Sequence, residues 1–185
     1  NQATLKNIPF VQDTFTMIKL LRFIGLKVGI SKSKGTVQVK NSNKNIKTLA
    51  PYNLVKTMRA GVLVLGPMLA KYKKTKISLP GGCAIGTRPV NLHLLALKKL
   101  GAKIKIKSGY IIAEAKNGLK GSDIRFPKIS VGATENAILA AFYANGKTTL
   151  NNCAIEPEVI DLINFLNKLG GKILIKGRKV FIYGT

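Results

Sequence analysis

The chain is poor in acidic residues, in aromatic residues and in the side chains that most catalytic sites use. Its 185 residues contain 7 Asp and Glu together, 2 Cys, 1 His and no Trp, and aromatic residues account for 6%. Two separated cysteines and one histidine cannot form a structural zinc site, so we expect no metal. The Gly-x-Ser-x-Gly sequence of serine hydrolases, the Walker loop and the Rossmann fingerprint are also absent. These absences argue against the common hydrolase and nucleotide-fold chemistries.

Long apolar runs are missing as well. The longest, residues 61–70, is far shorter than the ~20 residues that a membrane-spanning helix needs, and it contains Gly66 and Pro67. No secretory signal pattern is present. Free cysteines are typical of a reducing compartment. We therefore expect a cytoplasmic protein without a membrane partner.

Basic residues, by contrast, are abundant. Lys and Arg number 31, and the formal net charge is +24. This excess favours anionic partners, which could be nucleic acid, acidic lipid or phosphorylated metabolites, and composition does not choose among them. Because the lysines are scattered along the chain, we expect most of them to be solvated surface residues.

An internal repeat organises the chain. Residues 3–30 align without a gap with residues 148–175, and residues 77–106 form a partial third copy. The equivalent positions include Leu5 and Leu150, Asn7 and Asn152, Ile18 and Ile163, Leu21 and Leu166, Gly25 and Gly170, and Val28 and Ile173. Each copy predicts a strand, a loop, an amphipathic helix closed by glycine, and two strands joined by a turn.

The predicted hairpins pair residues 27–31 with 36–40, 103–107 with 110–115, and 172–176 with 179–183. Further helices are predicted at 53–71 and 132–144. The result is an α/β (α+β) chain of repeated βαβαββ units, which we divide at about 1–48, 49–120 and 121–185 within a single domain. The first unit lacks its opening strand and helix, and the chain does not begin with Met, so we expect it to be part of a longer protein.

The segment LPGGCAIGTRPVNLH, residues 79–93, is the strongest candidate for chemistry. Its glycines allow unusual backbone angles and close approach to a ligand. Cys83 lies among them and Arg88 follows, which is a setting that lowers the pKa of a thiol. Cys153 has no such loop, and we expect it to be structural. His93 is expected on the helix that follows the loop, where packing or hydrogen bonding is the more common role.

Two other segments are weaker candidates. Residues 128–134 predict a strand end followed by a helix start, where free N–H groups, Ser130 and Lys128 could bind an anion; a simple Ser N-cap is the alternative. In residues 52–60, Lys56 and Arg59 are spaced to share one side of a helix, which a solvated helix face explains equally well.

These segments together resemble the UDP-N-acetylglucosamine 1-carboxyvinyltransferases, a family of enolpyruvyl transferases. The matching stretches are APYNLVKTMRA (50–60), LPGGCAIGTRPVNLH (79–93), SVGATENA (130–137) and EPEVIDLINFLNKLG (156–170). The PGGC-x-IG-x-RP run is specific, because the related enolpyruvylshikimate phosphate synthases lack this cysteine loop. The likeness covers almost the whole chain.

The resemblance implies a fold of two similar domains, each with three βαβαββ units around buried helices. It also implies an activity: transfer of the enolpyruvyl group of phosphoenolpyruvate to the 3-hydroxyl of UDP-N-acetylglucosamine, with release of phosphate and no cofactor. This is the first committed step of peptidoglycan precursor synthesis. The family's opening segment and second domain are absent here, so we expect this chain alone to be inactive.

The family's residue roles carry over to matching positions. Cys83 matches the general acid that protonates phosphoenolpyruvate and that fosfomycin alkylates, and Arg59 and Arg88 match arginines that contact anionic substrates. The uridine end is expected at Arg88, Pro89, Val90, Asn91 and Leu92, and the nucleotide and diphosphate at Lys128, Ile129, Ser130, Val131 and Gly132. Asn91 stands where the family usually has Asp. Its amide can still form hydrogen bonds, but unlike a carboxylate it is neutral and offers donors as well as an acceptor.

A different class of function stays open from the residues alone. Basic βαβ modules bind RNA, and RNA 3′-phosphate cyclases are built from similar units. The sequence shows no cluster of aromatic residues for base stacking, which argues against nucleic acid as a partner.

Overall fold

A computed structural model describes residues 2–42, 45–80 and 90–185. Its strands are β1 (Gln2–Leu5), β2 (Lys27–Ser31), β3 (Thr36–Lys40), β4 (Leu49–Ala50), β5 (Lys74–Ser78), β6 (Lys103–Lys107), β7 (Tyr110–Glu114), β8 (Asp123–Arg125), β9 (Lys147–Asn151), β10 (Lys172–Lys176) and β11 (Lys179–Tyr183). Its helices are α1 (Gln12–Ile24), α2 (Tyr52–Val55), α3 (Leu65–Tyr72), α4 (Asn91–Lys99), α5 (Val131–Ala141) and α6 (Pro157–Lys168), with a 3-10 helix at Arg59–Val64.

The strands form three sheets that follow one another along the chain. Their strand orders are β1-β3-β2, β4-β5-β7-β6 and β8-β9-β11-β10. The pairs β4–β5 and β8–β9 are parallel, and the other pairs are antiparallel. The two complete sheets therefore have the same topology, in which a hairpin lies beside a parallel pair.

The three predicted hairpins are present, two of them with the predicted bounds and the third one residue shorter than expected at β7. Gly25, Gly101 and Gly170 each have a positive φ after a helix, as predicted from the repeat. Pro157 occupies the first turn of α6, where its missing N–H costs little.

The largest hydrophobic core lies between the sheets and the helices. Helices α3 and α5 pack against each other, and α4 also packs against α5. Helix α5 is almost entirely buried, including Ala133, Ala137 and Ile138. Its small alanines allow neighbouring helices to approach closely, so α5 is the central element on which the others are positioned.

The outward face of the second sheet carries many lysines. Lys74 and Lys76 of β5 and Lys103 and Lys105 of β6 are exposed, and they flank Glu114 and Ile112 of β7. Alternate residues of the same strands, such as Ile77 and Ile111, are buried. The alternation explains why so many lysines are compatible with a large core. It agrees with the expectation that the bulk of the lysines are solvated.

The predicted continuous helix over residues 53–71 was wrong. The structure divides this stretch into α2, the 3-10 helix and α3, and Met58 between the first two is extended, with φ −127° and ψ 118°. Pro67 is one cause, because a helix that continued through it would clash with the carbonyl group four residues earlier. Lys56 and the backbone of Arg59 consequently do not belong to one continuous helix. Within the described ranges, no helix is long and apolar enough to span a membrane.

Candidate functional site

A cavity of about 660 Å³ joins parts of the chain that are distant in sequence. One wall is the start of α4 with the residue before it, and another is the segment that leads into α5. A third wall is the 3-10 helix. The lining residues are Ala60, Val62, Leu63, Pro80, Val90, Asn91, Leu92, His93, Lys128, Ile129, Ser130, Val131, Gly132 and Glu135. The cavity thus brings together the predicted run 128–132 and residues 90–92, which are the described part of the predicted run 88–92.

The segment before α5 reaches the cavity as a loop rather than as a strand. Strand β8 ends at Arg125, so the expectation of a strand end at residues 128–129 was wrong. Pro127 has no N–H to continue the ladder, and it stops the strand. Just beyond the strand, the backbone N–H of Phe126 still donates to the carbonyl oxygen of Asn151 (3.0 Å).

Ser130 is the N-cap of α5. Its Oγ accepts a hydrogen bond from the backbone N–H of Ala133 (3.3 Å), which is the simple N-cap role that the sequence allowed. The hydroxyl hydrogen remains able to donate. Within the described residues, the N–H groups of Val131 and Gly132 have no hydrogen-bond partner. The start of α5 therefore presents backbone and hydroxyl donors next to Lys128, a combination suited to an anion.

Asn136 connects α5 to the 3-10 helix and α3. Its Oδ1 accepts from the backbone N–H of Gly66 (2.7 Å), and its Nδ2 donates to the carbonyl oxygen of Val62 (3.1 Å). In a continuous helix, those two backbone groups would bond to each other, since they are four residues apart. The side-chain amide of Asn136 takes the place of that hydrogen bond, and it thereby fixes the wall that carries Ala60, Val62 and Leu63.

His93 is buried, with 7% of its surface exposed. Burial lowers its pKa from 6.5 to about 4, so the imidazole is neutral at neutral pH. The Nδ2 atom of Asn136 lies 3.0 Å from Nδ1 of the ring. The prediction of a hydrogen-bonding role for His93 is confirmed, although the ring also lines the cavity.

Glu135 adds an acidic group to the cavity, and Lys128 is the other charged residue among the described residues that line it. It is partly buried, and its pKa is raised by burial and then by the nearby carboxylate of Glu158. Sequence reasoning missed both Glu135 and Asn136. The available signal was a pair of polar residues inside the otherwise small and apolar sequence of α5.

Cys153 is fully buried and unbridged. Burial raises the pKa of its thiol to about 11. Its backbone N–H and carbonyl group both bond to Arg178, at 3.0 Å each, through the backbone oxygen and Nη1 of that residue. The expectation that Cys153 is structural is confirmed.

Several predicted site residues cannot be placed in the cavity. Cys83, Arg88 and Pro89 lie outside the described residues. The backbone of Arg59 begins the 3-10 helix, next to the cavity-lining Ala60. Their assigned roles stay predictions.

Asn91 is exposed at the first position of α4, with Val90 as the N-cap. A carboxylate at this position would interact favourably with the helix dipole, and the amide gives up that contribution.

Comparison with known proteins identifies relatives of this chain. The family model described as EPSP synthase (3-phosphoshikimate 1-carboxyvinyltransferase) matches residues 1–185. A UDP-N-acetylglucosamine 1-carboxyvinyltransferase of Pelagibacter ubique (strain HTCC1062) is 60% identical over 172 residues, which is 93% of this chain and 40% of the relative. One of the same name from Helicobacter hepaticus (strain ATCC 51449 / 3B1) is 50% identical over 186 residues, covering 100% of this chain and 44% of the relative. The chain thus spans less than half the length of these curated relatives.

Solved structures show the same fold. The enolpyruvyl transferase NikO from Streptomyces tendae matches with a TM-score of 0.80 at 19% identity, over 100% of this chain and 43% of that chain. An EPSP synthase from Acinetobacter baumannii matches with a TM-score of 0.79 at 19% identity, over 100% of this chain and 42% of that chain. These findings do not favour the nucleic-acid alternative. They show that the chain has the enolpyruvyl transferase fold and belongs to the EPSP synthase family of enolpyruvyl transferases.

Proposed function

We propose that this chain is part of an enzyme that transfers the enolpyruvyl group of phosphoenolpyruvate to the 3-hydroxyl of UDP-N-acetylglucosamine and releases phosphate. The observation that carries the proposal is the cavity, since residues 90–92 of the expected uridine run 88–92 and the expected diphosphate run 128–132 line it together. Relatives at 50–60% identity carry the name of this activity.

The chemistry requires cations and hydrogen-bond donors around two anionic substrates. Phosphoenolpyruvate carries a carboxylate and a phosphate, and the acceptor carries a diphosphate. Lys128, the hydroxyl group of Ser130 and the first N–H groups of α5 are suited to the diphosphate. Arg59 and Arg88 are the proposed contacts for the remaining anionic groups, because a guanidinium offers forked, permanently charged donors. Run 88–92 is the proposed uridine contact.

Cys83 is the proposed general acid. The 3-hydroxyl of the sugar gives its proton to a base and adds to C2 of phosphoenolpyruvate, while C3 takes a proton from the thiol. In the following step C3 loses a proton, the C2–C3 double bond forms again and phosphate leaves. A glycine-rich loop can bring this donor to C3 when the site closes around both substrates. No metal ion or organic cofactor takes part in this scheme.

We further propose that residues 1–185 form one domain with units at about 1–48, 49–120 and 121–185, and that the complete enzyme closes a second domain over the cavity. The chain alone is then expected to give no turnover, because the cavity supplies one side of the site. We place the enzyme in the cytoplasm, where phosphoenolpyruvate is available and where an unbridged Cys153 is stable.

The test measures phosphate release by the complete enzyme with both substrates. Cys83→Ala should abolish release, Cys83→Asp should retain part of it because a carboxylic acid can also donate the proton, and Cys153→Ala is the control expected to keep turnover. Unchanged turnover in Cys83→Ala would contradict the role of Cys83. Failure of the unaltered enzyme to release phosphate would contradict the proposed function itself.

A further inference from the structure

The amide of Asn136 contacts Nδ1 of His93 in addition to the two backbone groups at the junction between the 3-10 helix and α3. Its Oδ1 faces the N–H of Gly66, which fixes the amide so that Nδ2 faces both the carbonyl oxygen of Val62 and Nδ1 of His93. Nδ2 has two hydrogens and can donate to both acceptors. The Nδ1 atom of His93 is therefore an acceptor, and the neutral ring carries its hydrogen on Nε2.

The opposite edge of the ring faces the first turn of α5. A Cβ placed on Gly132 would lie 3.3 Å from Cε1 and 3.6 Å from Nε2 of His93. His93 and Gly132 both line the cavity. Within the described residues, Nε2 has no hydrogen-bond partner, and the ring edge that carries it faces Gly132, in the first turn of α5.

We propose that Asn136 is a positioning residue for the UDP-sugar. It holds His93 in the neutral Nε2–H form, so that Nε2–H donates a hydrogen bond to an acceptor oxygen of the UDP-sugar at the start of α5. The same amide holds the backbone at Val62 and Gly66, and one side chain thereby sets both the donor and the facing wall of the cavity. This inference rests on the proposed function, because the UDP-sugar is the ligand that it names.

The first experiment reads the tautomer directly. His93 is the single histidine of the chain, so ¹⁵N spectra of the imidazole report on this residue alone. The unaltered chain should show a hydrogen on Nε2 and none on Nδ1. In Asn136→Asp, a carboxylate oxygen faces Nδ1, which should move the hydrogen to Nδ1 or charge the ring.

Asn167→Asp is the matched control for this experiment. The amide of Asn167 bonds only to the backbone of Ile173 among the described residues, through Nδ2 at 2.9 Å and Oδ1 at 2.8 Å. Its replacement should leave the spectrum of His93 unchanged. A hydrogen on Nδ1 in the unaltered chain, or an unchanged spectrum in Asn136→Asp, would overturn the proposal.

The second experiment measures UDP-N-acetylglucosamine binding by the complete protein with calorimetry. Asn136→Asp should weaken binding about tenfold, the effect of one lost hydrogen bond of ~1.4 kcal/mol. His93→Asn is a second variant, to be used if Asn136→Asp does not fold. Its side chain keeps an acceptor for the Asn136 amide but lacks the Nε2–H donor. This variant should weaken binding by a similar factor. Equal affinity in the unaltered protein and His93→Asn would overturn the inference and leave the proposed function standing. No binding by the unaltered protein would refute the proposed function, and with it the ligand named here.

Discussion

The side chain of Asn136 in α5 occupies the position of a helical hydrogen bond between Val62 and Gly66, with Oδ1 2.7 Å from the amide nitrogen of Gly66. This arrangement separates the 3-10 helix from α3 while leaving both backbone groups bonded. Insertion of a side chain into the backbone ladder is one of the recognised causes of a sharp helix break. A break at this point allows the 3-10 helix to line the cavity.

Gly66→Ala should destabilise the protein severely. A Cβ at Gly66 would overlap the Oδ1 and the backbone oxygen of Asn136, and both belong to the central helix α5. Overpacking together with loss of the buried hydrogen bond should cost about 3 kcal/mol, measured as a lower urea midpoint. Gly29→Ala is the control, because the nearest atom to its added Cβ is the Cβ of Gln38 at 4.0 Å. A similar urea midpoint for both variants would contradict the close packing of Gly66 against Asn136.

The stability of the protein should fall as the pH drops from about 6.5 to about 4. The pKa of His93 is about 4 in the folded state and 6.5 as the ordinary value, so the unfolded chain takes up its proton first. The contribution of His93 to the free energy of unfolding is fully present above pH 6.5. About 3 kcal/mol of it is lost by pH 4, at ~1.4 kcal/mol per pKa unit.

His93→Asn isolates this contribution, because its side chain does not titrate. The partly buried Glu135 has a raised pKa and acts in the opposite direction, but it is present in both proteins. The difference in unfolding free energy between the two proteins, measured by urea titration at intervals from pH 4 to 7.5, should shrink as the pH falls. A difference that does not vary with pH would show that His93 is not held neutral.

The thiol of Cys153 should resist alkylation in the folded protein. It is fully buried and its pKa is raised to about 11, so its thiolate fraction at pH 8 is ~100-fold below that of an ordinary cysteine. Iodoacetamide treatment followed by peptide mass analysis should label Cys83 first, and urea should expose Cys153 to the reagent. Rapid labelling of Cys153 without denaturant would contradict its burial.

Asn152→Ala should cost more stability than Asn7→Ala. Both asparagines have a positive φ, 60° and 57°, which Ala adopts with strain. Asn152 in addition donates from Nδ2 to the carbonyl oxygen of Phe126 (2.8 Å), a bond that Ala removes. We expect about 1 kcal/mol for Asn7→Ala and about 2 kcal/mol for Asn152→Ala from denaturant unfolding.

Glycine at position 152 tests the explanation further. It relieves the backbone strain and still lacks the side-chain bond, so Asn152→Gly should fall between Asn152→Ala and the unaltered protein. If the glycine and alanine variants were equally destabilised, backbone strain would not be the cause.

Much of the fold was predictable because the repeat records local backbone requirements. Asn7 and Asn152 are equivalent in the repeat, and the structure gives both the same left-handed backbone conformation. Gly25 and Gly170 are equivalent in the same way, and both close a helix with a positive φ. Such positions are set by the residue itself and its neighbours in sequence, so a single chain is enough to find them.

The prediction of one helix over residues 53–71 was wrong because it rested on local periodicity alone. It was based on the apolar spacing of Leu54, Met58, Val62, Leu65 and Leu69. Four of those side chains, all but that of Leu54, are indeed buried. Local periodicity contains no information about a partner 70 residues away in sequence. Here that partner is Asn136, whose amide bonds to the backbone of Val62 and Gly66.

The sequence by itself determined the repeat, the hairpins and the glycines that close three helices, since each depends on short-range spacing and residue type. The resemblance to the family marked run 128–132 and run 88–92, of which residues 90–92 are described, as candidate binding segments. Tertiary structure decided that those runs line one cavity, that His93 is neutral and that Asn136 divides the long apolar stretch. The reason is physical: burial and hydrogen bonding between distant residues set the charge of a ring and the path of a backbone, and both depend on which elements pack together.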